Sequence, residues 1–536
     1  MMKNIGKSVL VINAIIVLLL IASINADTGG GKLKLGYLYT DEVGNLEVNQ
    51  ETFNTYEGAV FSLLDMVYLF DGGLSINADM QNITLNNRNL TASISKPGLF
   101  SISAHNNQYR RNYEFNGGNF TRRRTTSFNG TFKPFSYAQL FAGFGVTAKK
   151  GVSNDLIAET YDTVNVDYSH TTFNFGANML YKKNSLFWEY RHLDFSNNVE
   201  SELYNTGRTA DAFRLSGSTL IPKYDWILVS GGYHYRLDKI ESNSTELKTN
   251  LGWGAAKLYI PQRYIINYRI SYARTNHSAT LRETDNVINT ISIGKSWAGK
   301  FGLRIGYENR VADDLTDRTE SNGLLLNGWL KIKKQLLVRV FTSTRENNVV
   351  NGTTLIGEES IARHKITAIY TPSSRVSLRV QWNGQFASHD PDTQIRDTLT
   401  DTEVGSKVDY NTLTASLKLS APDYGKIIVS HTYYRGQFEN NSADLSYEFS
   451  DHLFRASIYP NSYKNLSVFA SGKYYRSRRN RDVEKTSISI NAEYVLKDTY
   501  TIGAQYEAYN FDNFLVFKEY YTTNIVHFYV IKNFEI

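Results

Sequence analysis

Apolar and polar residues alternate one by one along almost the whole chain. Phe173, Phe175, Ala177, Met179 and Tyr181 are interleaved with Asn174, Gly176 and Asn178. Tyr264, Ile266, Tyr268, Ile270 and Tyr272 are interleaved with Asn267, Arg269 and Ser271. Val376, Leu378, Val380 and Trp382 are interleaved with Ser377, Arg379, Gln381 and Asn383. Successive side chains of a strand point to opposite faces, so each segment predicts a strand with one apolar and one polar face. A soluble β-sandwich would alternate in the same way; turn spacing, aromatic content and the N-terminus separate the two.

Short turn-like stretches surround Pro97, Pro134, Pro222, Pro261, Pro372, Pro422 and Pro460. Proline cannot donate to a ladder, so turns are where it belongs. Equivalent stretches without proline are Ser169-His170-Thr171, Ala298-Gly299-Lys300, Lys333-Lys334-Gln335 and Lys497-Asp498-Thr499. Most of these points recur about every 37 residues, enough for a short turn, a strand, a longer polar loop and a returning strand. The polar stretches Arg310–Ser321, Arg345–Ser360 and Ser388–Lys407 are expected to be the long loops of the opposite rim. Aromatics gather beside the short turns (Phe135, Tyr137, Tyr224, Trp226, Tyr264, Trp297, Phe301, Tyr424, Tyr459), as an interfacial girdle would. Adding four strands before the first turn and two after the last gives about 26 strands, within roughly 24–28. The expected fold is all-β: a transmembrane, antiparallel, up-and-down β-barrel.

The N-terminus agrees. Lys3 and Lys7 precede an apolar stretch from Val9 to Ile21, and Ser23-Ile24-Asn25-Ala26 offers small residues for cleavage after Ala26. That is the pattern of a secretory signal peptide over residues 1–26, leaving Asp27–Ile536 as a single barrel domain in a bacterial outer membrane. No long apolar run follows it, and mean hydropathy is −0.37, against a helical membrane protein. There are 37 Tyr and 28 Phe but no Cys, so the chain carries no disulfide, thiolate metal site or covalent haem of its own. The formal charge of +6 is too small for a nucleic-acid binder of this size.

Catalytic patterns are poor. Gly294-Lys295-Ser296 has the end of a phosphate loop in a strand context, and no His-Glu-x-x-His or Gly-x-Ser-x-Gly occurs. His234 falls on the polar face of its strand. No catalytic residue and no metal site is assigned, and the chain is read as a non-enzyme. The useful pattern is charge on the polar face: Arg269, Arg304, Arg339 and Arg379 follow successive short turns, with Glu189, Arg191 and Glu308 of both signs nearby. Such a basic arc near the periplasmic mouth can steer anions or hold an acidic protein, and it also fits an ordinary pore lining. Asp390, Asp392, Asp397, Asp401 and Glu403 crowd one loop that could take a cation or a basic partner, or simply be solvated. Arg122, Arg123 and Arg124 lie near the loop end of a strand, within reach of lipopolysaccharide phosphates or of plain solvent.

The leader, the strand number and the segments Tyr109-Arg110-Arg111-Asn112-Tyr113 and Phe132-Lys133-Pro134-Phe135 together resemble the porin component of porin–cytochrome electron conduits, the MtrB/PioB-type barrels. Some members carry a Cys-x-x-Cys near the mature N-terminus, which this chain lacks. The resemblance implies a sheath around a periplasmic multihaem c-type cytochrome, with every haem belonging to that partner. A plugged receptor would need a plug domain before its first strand, where only a few residues are expected. A general or solute-specific diffusion porin and a polymer export channel stay open, because fold alone does not choose among them.

Overall fold

In the computed structural model the described residues are 27–44, 55 and 57–535, apart from 113–119, 155–162, 198–206, 242–243, 281, 298, 315–316, 352–353, 392–405, 441–444, 464, 498 and 516–519. The leader expected over 1–26 lies outside them. The chain forms 26 strands, from β1 (Thr28–Gly44) to β26 (Tyr520–Glu535), each antiparallel to its sequence neighbour. β26 pairs back onto β1, with Tyr37 opposite Phe528, so the sheet closes and no edge is left. At about 4.8 Å per strand and a tilt near 40°, the backbone wall is roughly 50 Å across.

The two faces of the wall separate as the alternation requires. On β13 (Tyr264–His277), Tyr268, Ile270 and Tyr272 are exposed on the same side as Ile291 and Ile293 of β14 (Arg282–Trp297) and Leu303, Ile305 and Tyr307 of β15 (Phe301–Asp314). That apolar side faces outward to lipid, and the polar side lines the pore. The outward apolar run on β13, Tyr264 to Tyr272, measures roughly 20 Å along the bilayer normal, close to the band of an outer-membrane barrel. Its upper edge is an aromatic girdle absent from the sequence reading. Tyr307 donates to Asn322 (2.6 Å), Tyr272 to Asp285 (2.8 Å), Tyr233 to Asn250 (2.7 Å) and Tyr506 to Asn524 (2.8 Å), each across to the next strand.

Two expectations are corrected. The short turn placed at Ser169-His170-Thr171 is the middle of β8 (Thr163–Tyr181); the chain reverses at Lys182-Lys183 instead. Thr is at home in strands, and nothing in Ser169-His170-Thr171 supplies a left-handed residue. Lys182 does, with φ 55°, as do Lys223, Lys333 and Lys497 at other turns of the same rim. Two of the three polar stretches expected as long loops, Arg310–Ser321 and Arg345–Ser360, are mostly strand. β15 reaches Asp314 and β16 (Asp317–Ile332) resumes three residues later; β17 (Leu336–Asn351) and β18 (Thr354–Ser373) leave an equally short gap. Asn, Asp, Thr and Glu pair across strands there, so the ladder continues above the lipid band as a polar collar.

The buried apolar cluster Met66, Tyr68, Ile76, Ala78, Met80, Leu90 and Ala92 sits on the outward face of β2 (Gly58–Phe70), β3 (Leu74–Gln81) and β4 (Asn89–Lys96). A bulge at Asp65 (φ 52°) shifts the register and lays Met66 and Tyr68 over Gly31 and Gly29 of β1, the space a side chain at either glycine would take.

Candidate functional site

The polar face is charged in two adjoining sectors. The first is built by β9 (Asn184–Asn197), β10 (Arg208–Ile221) and β11 (Tyr224–Ile240). Trp188 and Tyr190 share the outward face with Leu215 and Phe213, so Glu189 and Arg191 point inward with Arg214. Glu189, 8 % exposed, accepts from Arg191 at 3.1 Å and from Asn174 at 3.2 Å, and stands 3.8 Å from Arg214. Asp238, 5 % exposed, holds Arg208 at 2.9 Å and Arg236 at 2.7 Å. Two carboxylates thus lie sunk in the wall under four guanidiniums that reach the pore, and the sector is net basic. The sequence reading found Glu189 and Arg191 but missed Arg208, Arg214, Arg236 and Asp238. Arg214 between Phe213 and Leu215, and Arg236 two residues before Asp238, carried the same alternating signal. His234 lies in the same sector, in register with Arg214.

The second sector holds the predicted arc. Arg304, Arg339 and Arg379 are each the fourth residue of β15, β17 and β19 (Val376–Pro391), and Arg269 is the sixth of β13, all just above the short-turn rim. Register puts all four on the polar face. Arg304 donates from Nε and Nη2 to Ser292 Oγ at 3.0 and 2.8 Å, Arg379 donates to Gln381 at 2.7 Å, and Arg269 lies 5.2 Å over the Trp253 ring. Arg339 stands opposite Trp329 and Thr367. Among the described residues no carboxylate lies within ion-pair distance of these four. Glu308 is in one cross-strand row with Arg269, through Thr290. Beside Arg304 a recess of about 480 Å³ opens, lined among others by Lys257, Asn267, Asn327 and Trp329. Trp329 lies where a side chain at Gly302 would be.

Of the acidic residues of that loop, only Asp390 is among the described residues. Asp392, Asp397, Asp401 and Glu403 lie outside the described residues; Asp390 is near the end of β19, opposite Glu358. Among the described residues no group of three His, Asp or Glu is placed to hold a metal ion.

The barrel overlays on solved outer-membrane proteins. With the siderophore receptor PirA from Pseudomonas aeruginosa the TM-score is 0.50 at 8 % identity, over 83 % of this chain and 82 % of that one. A ferric enterobactin receptor (PfeA) mutant from Pseudomonas aeruginosa gives 0.50 at 8 %, over 95 % and 81 %. The FrpB iron transporter from Neisseria meningitidis gives 0.50 at 8 %, over 81 % and 81 %. The likeness is one of fold. No family model matches the sequence, and no curated protein does. The chain is an outer-membrane β-barrel with a wide, charged pore.

Proposed function

We propose that the barrel is the sheath of a trans-outer-membrane electron conduit, with a periplasmic multihaem c-type cytochrome inside it and no cofactor of its own. The supporting observation is the width of the wall. Once inward side chains are allowed for, a circular wall of 26 strands leaves a lumen roughly 40 Å across. A folded domain of roughly 170 residues has that diameter. Left open, such a pore would abolish the permeability barrier, and the described residues all belong to the wall or its rims. The basic sectors suit an acidic occupant. The barrel contributes insulation and position; the redox chemistry belongs to the partner's cofactors.

The fold neighbours favour a second reading. They are described as a siderophore receptor, a ferric enterobactin receptor and an iron transporter, and a basic lumen also suits passage of an anionic solute. Purification in mild detergent from the native membrane separates the two. A sheath brings down a haem-staining protein in fixed ratio, and vesicles holding the complex reduce an external acceptor from an internal donor. An isolated barrel that carries no haem protein and passes small anions at porin-like rates refutes the sheath.

A further inference from the structure

Strands of a wide pore turn their rings to lipid, as Tyr268, Tyr272, Phe301 and Tyr307 do in this part of the wall. Two rings nearby do not. Tyr259 of β12 (Thr245–Ile260) pairs with Ile265, out of phase with the outward run from Tyr264 to Tyr272, so its ring faces the pore, 39 % exposed. Trp329 of β16 is on the same side, pairing with Gly302 and Arg339, and its indole lies across Gly302. Both rings line the recess of about 480 Å³ beside Arg304, which spans four strand spacings, about 19 Å at the backbone. Glycines make the hollow: Gly294 and Gly302 stand in its lining, and a Cβ at Gly294 would meet the Arg304 Cβ at 3.2 Å.

Cations enter from both sides. Lys257 pairs with Asn267 and Arg304 with Asn327, all four on the polar face. The Cα atoms of Lys257 and Arg304 are about 15 Å apart, three strand spacings and two residues along, so two long side chains reach toward each other with room for one ring between. Arg304 spends Nε and Nη2 on Ser292, which sets the plane of the guanidinium and leaves its Nη1 edge for a ligand. Lys257 stands 4.7 Å from the Tyr259 ring. No residue lining the recess is acidic, and among the described residues no carboxylate lies within ion-pair distance of either cation. The Gly294-Lys295-Ser296 run crosses the recess, but Lys295 is in register with the outward Tyr264 and sits 3.9 Å over its ring, so no phosphate loop forms.

We propose that this recess binds a planar aromatic dicarboxylate, its ring against the Trp329 indole, one carboxylate on Arg304 and the other on Lys257. The volume is that of a small-molecule site. Guanidinium and carboxylate match through charge-assisted hydrogen bonds, and a rigid ring that stacks on indole loses little freedom on binding. Inorganic phosphate would reach one cation and leave the rings uncovered. The assignment rests on the wall alone and does not depend on what fills the pore.

The test is isothermal titration of the folded barrel in detergent, at about 0.15 M salt so that charges more than about 8 Å away are screened. Four probes are used: benzene-1,4-dicarboxylate, cyclohexane-1,4-dicarboxylate, benzene-1,4-dicarboxamide and inorganic phosphate. The aromatic dicarboxylate should saturate at one per barrel. The cyclohexane analogue should bind about threefold or more weakly, and the uncharged diamide and phosphate about tenfold or more weakly. Arg304→Gln should weaken the aromatic dicarboxylate about tenfold or more, and Trp329→Leu should abolish the preference for the aromatic ring. Arg363→Gln, which removes a cation from the polar face four residues from Thr367, should match the wild type. Folding is checked by heat-shifted gel mobility; if Arg304→Gln does not fold, Lys257→Gln carries the same expectation. The proposal is overturned by the absence of saturable binding, or by cyclohexane or phosphate binding as tight as that of the aromatic probe. A loss in Arg363→Gln equal to that in Arg304→Gln overturns it as well, leaving only the general attraction of a basic wall.

Discussion

Moving one charge by one residue along β15 tests the assignment of faces. Arg304 is native and bonded to Ser292 on the polar side. Ile305, the next residue, is 48 % exposed on the outward side, between Ile293 and Leu326. The apolar run on β15 extends from Phe301 to Tyr307, so Ile305 lies within about 3 Å of its centre along the normal. An arginine at midplane costs about 2–4 kcal/mol, and we expect about 3 for Ile305→Arg. Ile270→Arg, farther from the centre of its own run, should cost about 2 kcal/mol, and Asn309→Arg, above the girdle, at most about 1 kcal/mol. Ser271→Arg, on the polar side between Trp253 and Ile288, should stay within about 0.5 kcal/mol. The assay is denaturant-dependent folding into lipid vesicles, followed by heat-shifted mobility and tryptophan fluorescence. Three kcal/mol is roughly a hundredfold in the folded-to-unfolded ratio, well outside error. A cost at Ser271 equal to that at Ile305 would refute the assignment of faces, and with it the arginine arc.

Three further outcomes are expected. Mass spectrometry of the membrane-embedded protein should find Asp27 as the first residue; a chain retaining Met1–Ala26 would contradict the reading of an export leader. Replacing Arg304, Arg339 and Arg379 together by Glu should weaken retention of an acidic partner while the barrel still folds, and undiminished retention would remove the arc from the interface. Gly302→Val should destabilise by about 1–3 kcal/mol, because a Cβ there meets the Trp329 ring, whereas Gly252→Ala, with nothing within 4 Å, should be silent in the same folding assay.

The sequence was most informative where one rule applied many times. Strand number and faces follow from period-2 alternation punctuated by turns, and most turns announce themselves through Pro or Gly. The missed turn, Lys182-Lys183, has neither; like the turns at Lys333 and Lys497 it uses lysine in the left-handed region, a conformation that lysine does not signal strongly. Asn, Asp and Thr favour turns, so Arg310–Ser321 and Arg345–Ser360 look like loops in sequence; in this wall their cross-strand partners hold them in the ladder. The arc of Arg269, Arg304, Arg339 and Arg379 was visible from its spacing after the turns. The Glu189 and Asp238 clusters were less so, because register decides which arginines meet which carboxylate.

Width links this fold to its use. Barrels of 16–18 strands already enclose an aqueous channel, and each further strand adds about 2 Å of diameter, so a wall of 26 exceeds by roughly 15–20 Å what a small solute needs. The extra strands also bring extra polar wall. Here that wall is not a neutral lining: Glu189 and Asp238 are sunk beneath their arginines, which holds the guanidiniums in set positions facing the pore. Fixed charge on a rigid wall is worth most against a partner whose own charges are fixed, because neither side then loses conformational freedom on contact. A diffusing solute gains only a transient attraction from the same groups. The dimension and the charge pattern therefore favour a folded occupant over free passage, and they do so without reference to any resemblance.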